Sequence, residues 1–310
     1  MINKVNNIIK QIILMVALLS TLPVVGKNSA VKRVEAQFDE RIELMSVICH
    51  LAGFGEYNMN LGGKYIAEID SFFAGVKNHP VIEMMDSLRQ YNGISFDSPM
   101  AFAVNLQKEG NQFTLINDTI VPERRWNGVD FQKVTKNISD FYIASNFSKF
   151  FDSHKLFYQE MCEIFNSNVI SKFNQKWYEQ FYGTEPTENF EVIIGFVNGG
   201  GNYGPSRQLP GKPRDVYAIM GYALDENGES YYCSDPQSYL STLVHEFNHS
   251  FVNPLADDSR FNSRIQQPAE KMYQLSQQTM RRSAYAGWKN LVNESIVLSL
   301  IHISEPTRPY

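Results

Sequence analysis

With 310 residues, 43% of them hydrophobic and 20% charged, the chain can form one large domain or two closely joined lobes. A formal charge of −5 argues against a nucleic-acid-binding surface, which needs clustered cations. Cys49, Cys162 and Cys233 form no CxxC and exclude a disulfide scaffold, leaving buried thiols or at most one bridge.

Residues 1–26 read as a secretory signal peptide. Lys4 and Lys10 precede the apolar run IILMVALLSTLPVVG, which is too short for a transmembrane span, and Val24-x-Gly26 offers small residues for cleavage. Loss of Lys4 and Lys10 takes the formal charge from −5 to −7. The expectation is an acidic exported protein, secreted, periplasmic or at the cell surface, with no stable membrane span after cleavage.

Residues 27–185 form a helical N-terminal region. The stretches AQFDERIELMSVICHLAGF, KYIAEIDSFFAGVKN, HPVIEMMDSLRQY and ISDFYIASNFSKFFDSHKLFYQEMCEIFNSNV predict helices separated by short polar breaks. Their Phe and Tyr residues are expected in the core. His79, before Pro80, marks a helix start, and His50 and His154 have structural or solvated roles.

Near Glu185 the pattern changes. NFEVIIGFV and DVYAIMGYAL predict strands, and DENG followed by ESYYC predicts a hairpin. Between the strands lies NGGGNYGPSRQLPGKP. It is no P-loop, because Ser206 stands where the first Gly is required and Pro213 replaces the Ser/Thr. Its successive glycines allow close backbone approach to a ligand, so Gly200, Gly201 and Asn202 are candidate substrate-binding residues.

The next helix carries His-Glu-x-x-His at His245, Glu246 and His249. Leu240, Leu243, Val244, Phe247 and Phe251 make one apolar stripe, with Ser234 or Asp235 as cap, Pro236 in the first turn and Pro254 as the stop. The two His, four apart, share a second face with Ser241 and Thr242, which leaves room for an ion. Glu246 is close enough to activate a metal-bound water without ligating the metal. The order of glycine-rich segment, strand and HExxH helix resembles the catalytic lobe of zincin peptidases. There an edge strand binds substrate backbone; GGNYGP would be that edge and DVYAIMGYAL its neighbour.

An open catalytic zinc site needs a third protein ligand. The metzincin pattern requires Gly at 252 and His at 255, where the chain has Val252 and Leu255. Gluzincins take a Glu from a later helix, often within an Asn-Glu pair, and SAYAGWKNLVNESIV supplies Asn293-Glu294. Glu294 is the assigned ligand. Glu270 is the rival, which Pro268 places in a first turn where an acidic residue is ordinary dipole compensation.

RIELMSVICHLAGFGEYN, HPVIEMMDSLRQYNGISFDSPMAFAVNL, NGGGNYGPS, HEFNHSFVNP and NESIV together resemble the family catalogued as domain of unknown function 4932. The resemblance runs from about Val34 to Val297 and implies a metallopeptidase-type site at His245, Glu246, His249 and Glu294, without an established substrate. The segment Leu298–Tyr310 departs from it. LSLIHISEPTR reads codon for codon as the translation of a sequencing-library transposase adapter and breaks the helical pattern. The expectation is a native sequence that stops near Val297, with residues 298–310 foreign and His302 and Glu305 excluded as ligands.

The reading is an α+β protein, mostly helical, whose residues 186–297 form a zincin-like catalytic part with a small sheet and an HExxH helix. The expected function is a secreted zinc-dependent metallopeptidase acting on peptide or protein. Zn2+ is held by His245, His249 and Glu294, Glu246 is the base, and Tyr203, or alternatively Tyr285, is the oxyanion donor. The alternative is a non-catalytic zincin fold that binds peptide or glycan at the cell surface.

Overall fold

The computed structural model describes residues 34–282 and 287–304, so the expected signal peptide lies outside the described residues. Six strands occur among them: β1 (Ala36–Gln37), β2 (Leu106–Glu109), β3 (Gln112–Leu115), β4 (Asn189–Gly195), β5 (Ser206–Arg207) and β6 (Asp215–Gly221). β2 and β3 form a separate hairpin, and the other four make one sheet in the order β1-β4-β6-β5. β1, β4 and β6 run parallel and β5 antiparallel, with Ile193 opposite Ile219 and Ser206 opposite Val216. Val192, Ile193 and Ile194, like Val216, Ala218, Ile219 and Met220, are buried, as befits parallel strands covered on both faces. The fold is α+β and mostly helical, as expected.

β1 comes from the N-terminal stretch and pairs with β4, so the two sequence regions share one sheet and one core, which runs from Val34 to Phe247. Against this sheet packs the helix Glu40–Leu51, with every residue from Ile42 to His50 buried. Asp39 caps it by accepting the Arg41 N–H at 2.8 Å. That cap explains one correction. The helix expected to begin at Ala36 starts only at Glu40, and Ala36–Gln37 are extended.

Other boundaries also moved. The β2–β3 hairpin lies in a region expected to be helical; Gly110, at φ +60°, makes its turn, and Phe113 and Leu115 point inward. The long helix expected from Ile138 to Val169 is three helices, Phe131–Ala144, Phe147–Ser153 and Lys155–Asn168, and the first break falls at Asn146, whose φ is +51°. ESYYC does not form a strand: after the Asp225–Gly228 turn, Ser230 caps a short helix, Tyr231–Ser234. His79 caps the helix Pro80–Asn92 by accepting the Val81 N–H, and His50 and His154 pair with Asp70 and Glu68.

Three helices follow among the described residues. The signature helix Pro236–Asp257 continues past Pro254, and the connecting helix Ser259–Arg282 continues through Pro268. Neither proline therefore stops or starts a helix as expected. The closing helix Trp288–Ser304 runs without a break across Val297. Leu300, three residues on from Val297, joins Val252 and Val297 in a small apolar cluster, so helical spacing carries the seam past the point where the pattern was expected to end. No described helix is long and apolar enough to cross a membrane.

Candidate metal centre

The signature helix is placed by its cap and its aromatic face. Asp235 accepts the Ser238 N–H at 3.2 Å, and Pro236 occupies the first turn, where its missing N–H costs nothing. Leu243 and Phe247 are fully buried. Phe247 meets Phe190 of β4 edge-on at 4.8 Å, and Phe251 stacks on Tyr182 at 5.2 Å. With that face fixed on the sheet, His245 and His249 share another face one turn apart.

The closing helix reaches the same place by a different route. Val297 and Leu300 pack with Val252, Trp177 and Phe181. Glu294, one turn before Val297, is thereby brought over the two imidazoles. The Nε2 atoms of His245 and His249 are 2.9 Å apart. One carboxylate oxygen of Glu294 lies 3.6 Å from His245 Nε2 and the other 3.6 Å from His249 Nε2. All three side chains are 14–16% exposed, so the cluster is sunken but reachable.

The electrostatics follow from burial. His245 is pushed down to about 4, first by burial and then by the neighbouring His249, so it stands neutral with a lone pair available at neutral pH. Asn253 Oδ1 lies 3.2 Å from His249 Nδ1 and accepts its N–H, leaving the Nε2 lone pair directed at the cluster. Glu246, 7% exposed, is pushed up to about 8 by burial, then by Glu294 and Asp97.

The chain matches the family described as a domain of unknown function (DUF4932) over residues 34–307. It belongs to that family. No curated protein and no solved structure matches it.

In this DUF4932 member, His245, His249 and Glu294 are the one group of three or more His, Cys, Asp or Glu residues, among those described, able to hold a metal. Glu270 is not part of it; it sits mid-helix and accepts from Gln266 Nε2 at 2.8 Å. The glycine-rich segment is an edge, as expected: Tyr203 exchanges both backbone hydrogen bonds with Ile219, and Pro205 accepts from Tyr217 N–H.

A Cβ at Gly221 would lie 2.1 Å from Gly199 O and 2.7 Å from Gly201 O. Asn202 Oδ1 accepts the Gly221 N–H at 2.9 Å. Gly200, Gly201 and Asn202 thus belong to a turn folded against the end of β6, where Gly199 O, Gly201 O and Asn202 Oδ1 crowd Gly221. Tyr203 is 6% exposed, with its ring 6.1 Å from Tyr57. Gly204 faces Glu246, so alternation along the edge turns Tyr203 to the opposite side, away from the cluster. The hydroxyl of Tyr203, the expected oxyanion donor, is buried without a hydrogen-bond partner, and Tyr285 lies outside the described residues.

Sequence reasoning placed Gly204 in the edge segment without a role of its own, and missed Ser206 and Asn253. A Cβ on Gly204 would meet the Glu246 carbonyl oxygen at 2.3 Å, so only glycine lets the edge cross the signature helix there. Asn253 had a readable signal: it stands four residues after His249, on the same helical face.

Proposed function

We propose that the chain is a zinc-dependent peptidase, with zinc held by His245, His249 and Glu294 and Glu246 as the base. The observation that carries this reading is the convergence of two imidazoles and a carboxylate from two separate helices. These are ordinary zinc donors, and a tetrahedral ion about 2.0–2.1 Å from each sets them about 3.3 Å apart. The donor separations of 2.9 and 3.6 Å bracket that spacing. A zinc ion bound there supplies a Lewis acid that polarises the scissile carbonyl and makes water a nucleophile near neutral pH.

The chain's own residues supply the rest. Glu246, buried beside Glu294, takes the proton of the attacking water and passes it to the leaving amine. Burial and the Glu294 charge raise its proton affinity, and a nearby dication opposes that rise. Because Tyr203 and Pro205 bond toward β6, the backbone N–H and C=O groups of Gly204 and Ser206 point to the open side of the edge. A substrate backbone can add there as a further strand. Lys4 and Lys10 before the apolar run support action outside the cytoplasm.

Zinc titration of the purified protein is expected to give one ion per chain, lost in His245→Ala and in His249→Ala. Glu246→Gln should keep the metal and lose roughly 10²–10⁴-fold in peptide hydrolysis. Stoichiometric zinc in either His variant, or hydrolysis at the parent rate by Glu246→Gln, overturns the reading.

A further inference from the structure

A cavity of about 510 Å³ adjoins the cluster, and three of its lining residues, Ser250, Pro254 and Asp258, have no part in the mechanism above. Gly204 and Ser206 contribute from the edge, and His249, Ser250, Asn253 and Pro254 from the signature helix. Asp258, which follows that helix, completes it. Because His249 and Gly204 both line it, a peptide laid along the edge with a bond at the cluster would project a side chain into this space.

The lining is rich in acceptors. Ser250 is 5% exposed and its Oγ is buried without a hydrogen-bond partner. Pro254 brings no N–H to the Ser250 carbonyl, which therefore lacks its helical donor. Asp258 is the one carboxylate among the lining residues. It is fixed in place by accepting the Arg260 N–H at 2.8 Å. The Arg260 guanidinium also holds both of its oxygens, Nε at 3.0 Å from each and Nη2 at 2.5 Å from Oδ2, but it is 74% exposed, so a cation in the cavity competes with a partner that water can solvate. No large apolar side chain lines the space. An apolar guest would strip water from these acceptors without replacing its hydrogen bonds, and an acidic guest would meet Asp258. A lysine or arginine brings only donors and a cation.

We propose that this cavity is the subsite for a basic side chain, lysine or arginine, of a peptide substrate, with Asp258 as counter-charge and Ser250 as hydrogen-bond acceptor. The assignment rests on the peptidase reading for its orientation along the edge.

The test compares the zinc-loaded full chain with Asp258→Asn, which keeps the helix cap and removes the charge. In a peptide library the parent is expected to favour lysine or arginine at one subsite by about ten-fold or more in kcat/KM over a neutral residue of similar length. Asp258→Asn should lose that preference with zinc content and Tm unchanged. A second measurement needs no turnover. The Glu246→Gln protein should bind a fluorescent lysine-containing peptide about ten-fold more tightly than its norleucine counterpart, and adding Asp258→Asn should abolish the difference. Cleavage without a basic preference, or a preference that survives Asp258→Asn, overturns the subsite. Absence of cleavage together with Asp258-dependent binding overturns the peptidase reading and keeps the subsite. Absence of both overturns both.

Discussion

Gly204 passes so close to Glu246 that a Cβ on it would lie 2.3 Å from the Glu246 carbonyl oxygen and 3.0 Å from the carbonyl carbon. The neighbour is backbone, so it cannot swing aside as a side chain would. The edge segment and the HExxH helix are held at this crossing, which sets the distance between any peptide on the edge and the residues that would act on it. Gly204→Ala is expected to destabilise the fold by about 1–3 kcal/mol, as overpacking of a close contact does. Thermal unfolding measures this. A parent-like Tm would show that the crossing has slack.

The third donor is expected to be separable from its rival. Glu294→Ala should weaken zinc affinity by more than the roughly 10–100-fold that loss of an outer hydrogen bond to a ligand costs. Glu270→Ala should leave it unchanged, because Glu270 accepts from Gln266 within its own helix. Asn253→Ala falls between them: it removes the acceptor of His249 Nδ1 and should cost about ten-fold. Competition with a zinc-binding dye gives all three affinities, and equal values for the parent and Glu294→Ala would remove Glu294 from the site.

Much of this was legible in the sequence, and the exceptions share a physical cause. The two central strands and the signature helix carry long apolar patterns, and each begins where the residues placed it, although the helix runs on past Pro254. Asn293-Glu294 was singled out because gluzincins take a Glu, often within an Asn-Glu pair, from a later helix. The packing of the glycine-rich turn was not legible, because a glycine run says only that two backbones approach, not which two. The partner of Gly199 and Gly201 is Gly221, 22 and 20 residues away in the chain, and that pairing exists only once β6 is in place. The β2–β3 hairpin was hidden because a four-residue alternation is too short to outweigh the helical signals around it.

Glu43 should make stability depend on pH. Its carboxyl is fully buried and pushed up to about 7 by that burial, although the Tyr65 hydroxyl donates to it at 2.5 Å and moderates the rise. The folded chain therefore holds a proton that the unfolded chain releases near 4.5. The resulting stabilisation is complete below the unfolded value and is lost as pH rises through about 7. The loss across that window is about 3 kcal/mol. Glu43→Gln has no proton to lose, so the parent-minus-variant difference in unfolding free energy should fall by this amount between pH 4 and pH 8. Denaturant unfolding at several pH values measures it, and a flat difference would mean that the carboxyl is hydrated.

The closing helix offers the last test, because it separates donor chemistry from donor placement. Val297 is fully buried against Val252, one turn after Glu294, whereas the adjacent Leu298 is 52% exposed. Val297→Ala removes no donor and changes no charge. It opens a void in the small seam that docks this helix on the signature helix, at a cost of about 1–3 kcal/mol. Part of that cost appears as undocking of the segment that carries Glu294, since an element held by few apolar contacts opens locally before the whole chain unfolds. Ordering it again must then come from the binding energy of the ion. Val297→Ala is expected to bind zinc several-fold more weakly than the parent, and Leu298→Ala to match the parent. Both should keep one ion per chain. If zinc affinity were equal in all three proteins while Tm fell in Val297→Ala, the seam would stabilise the fold without positioning Glu294.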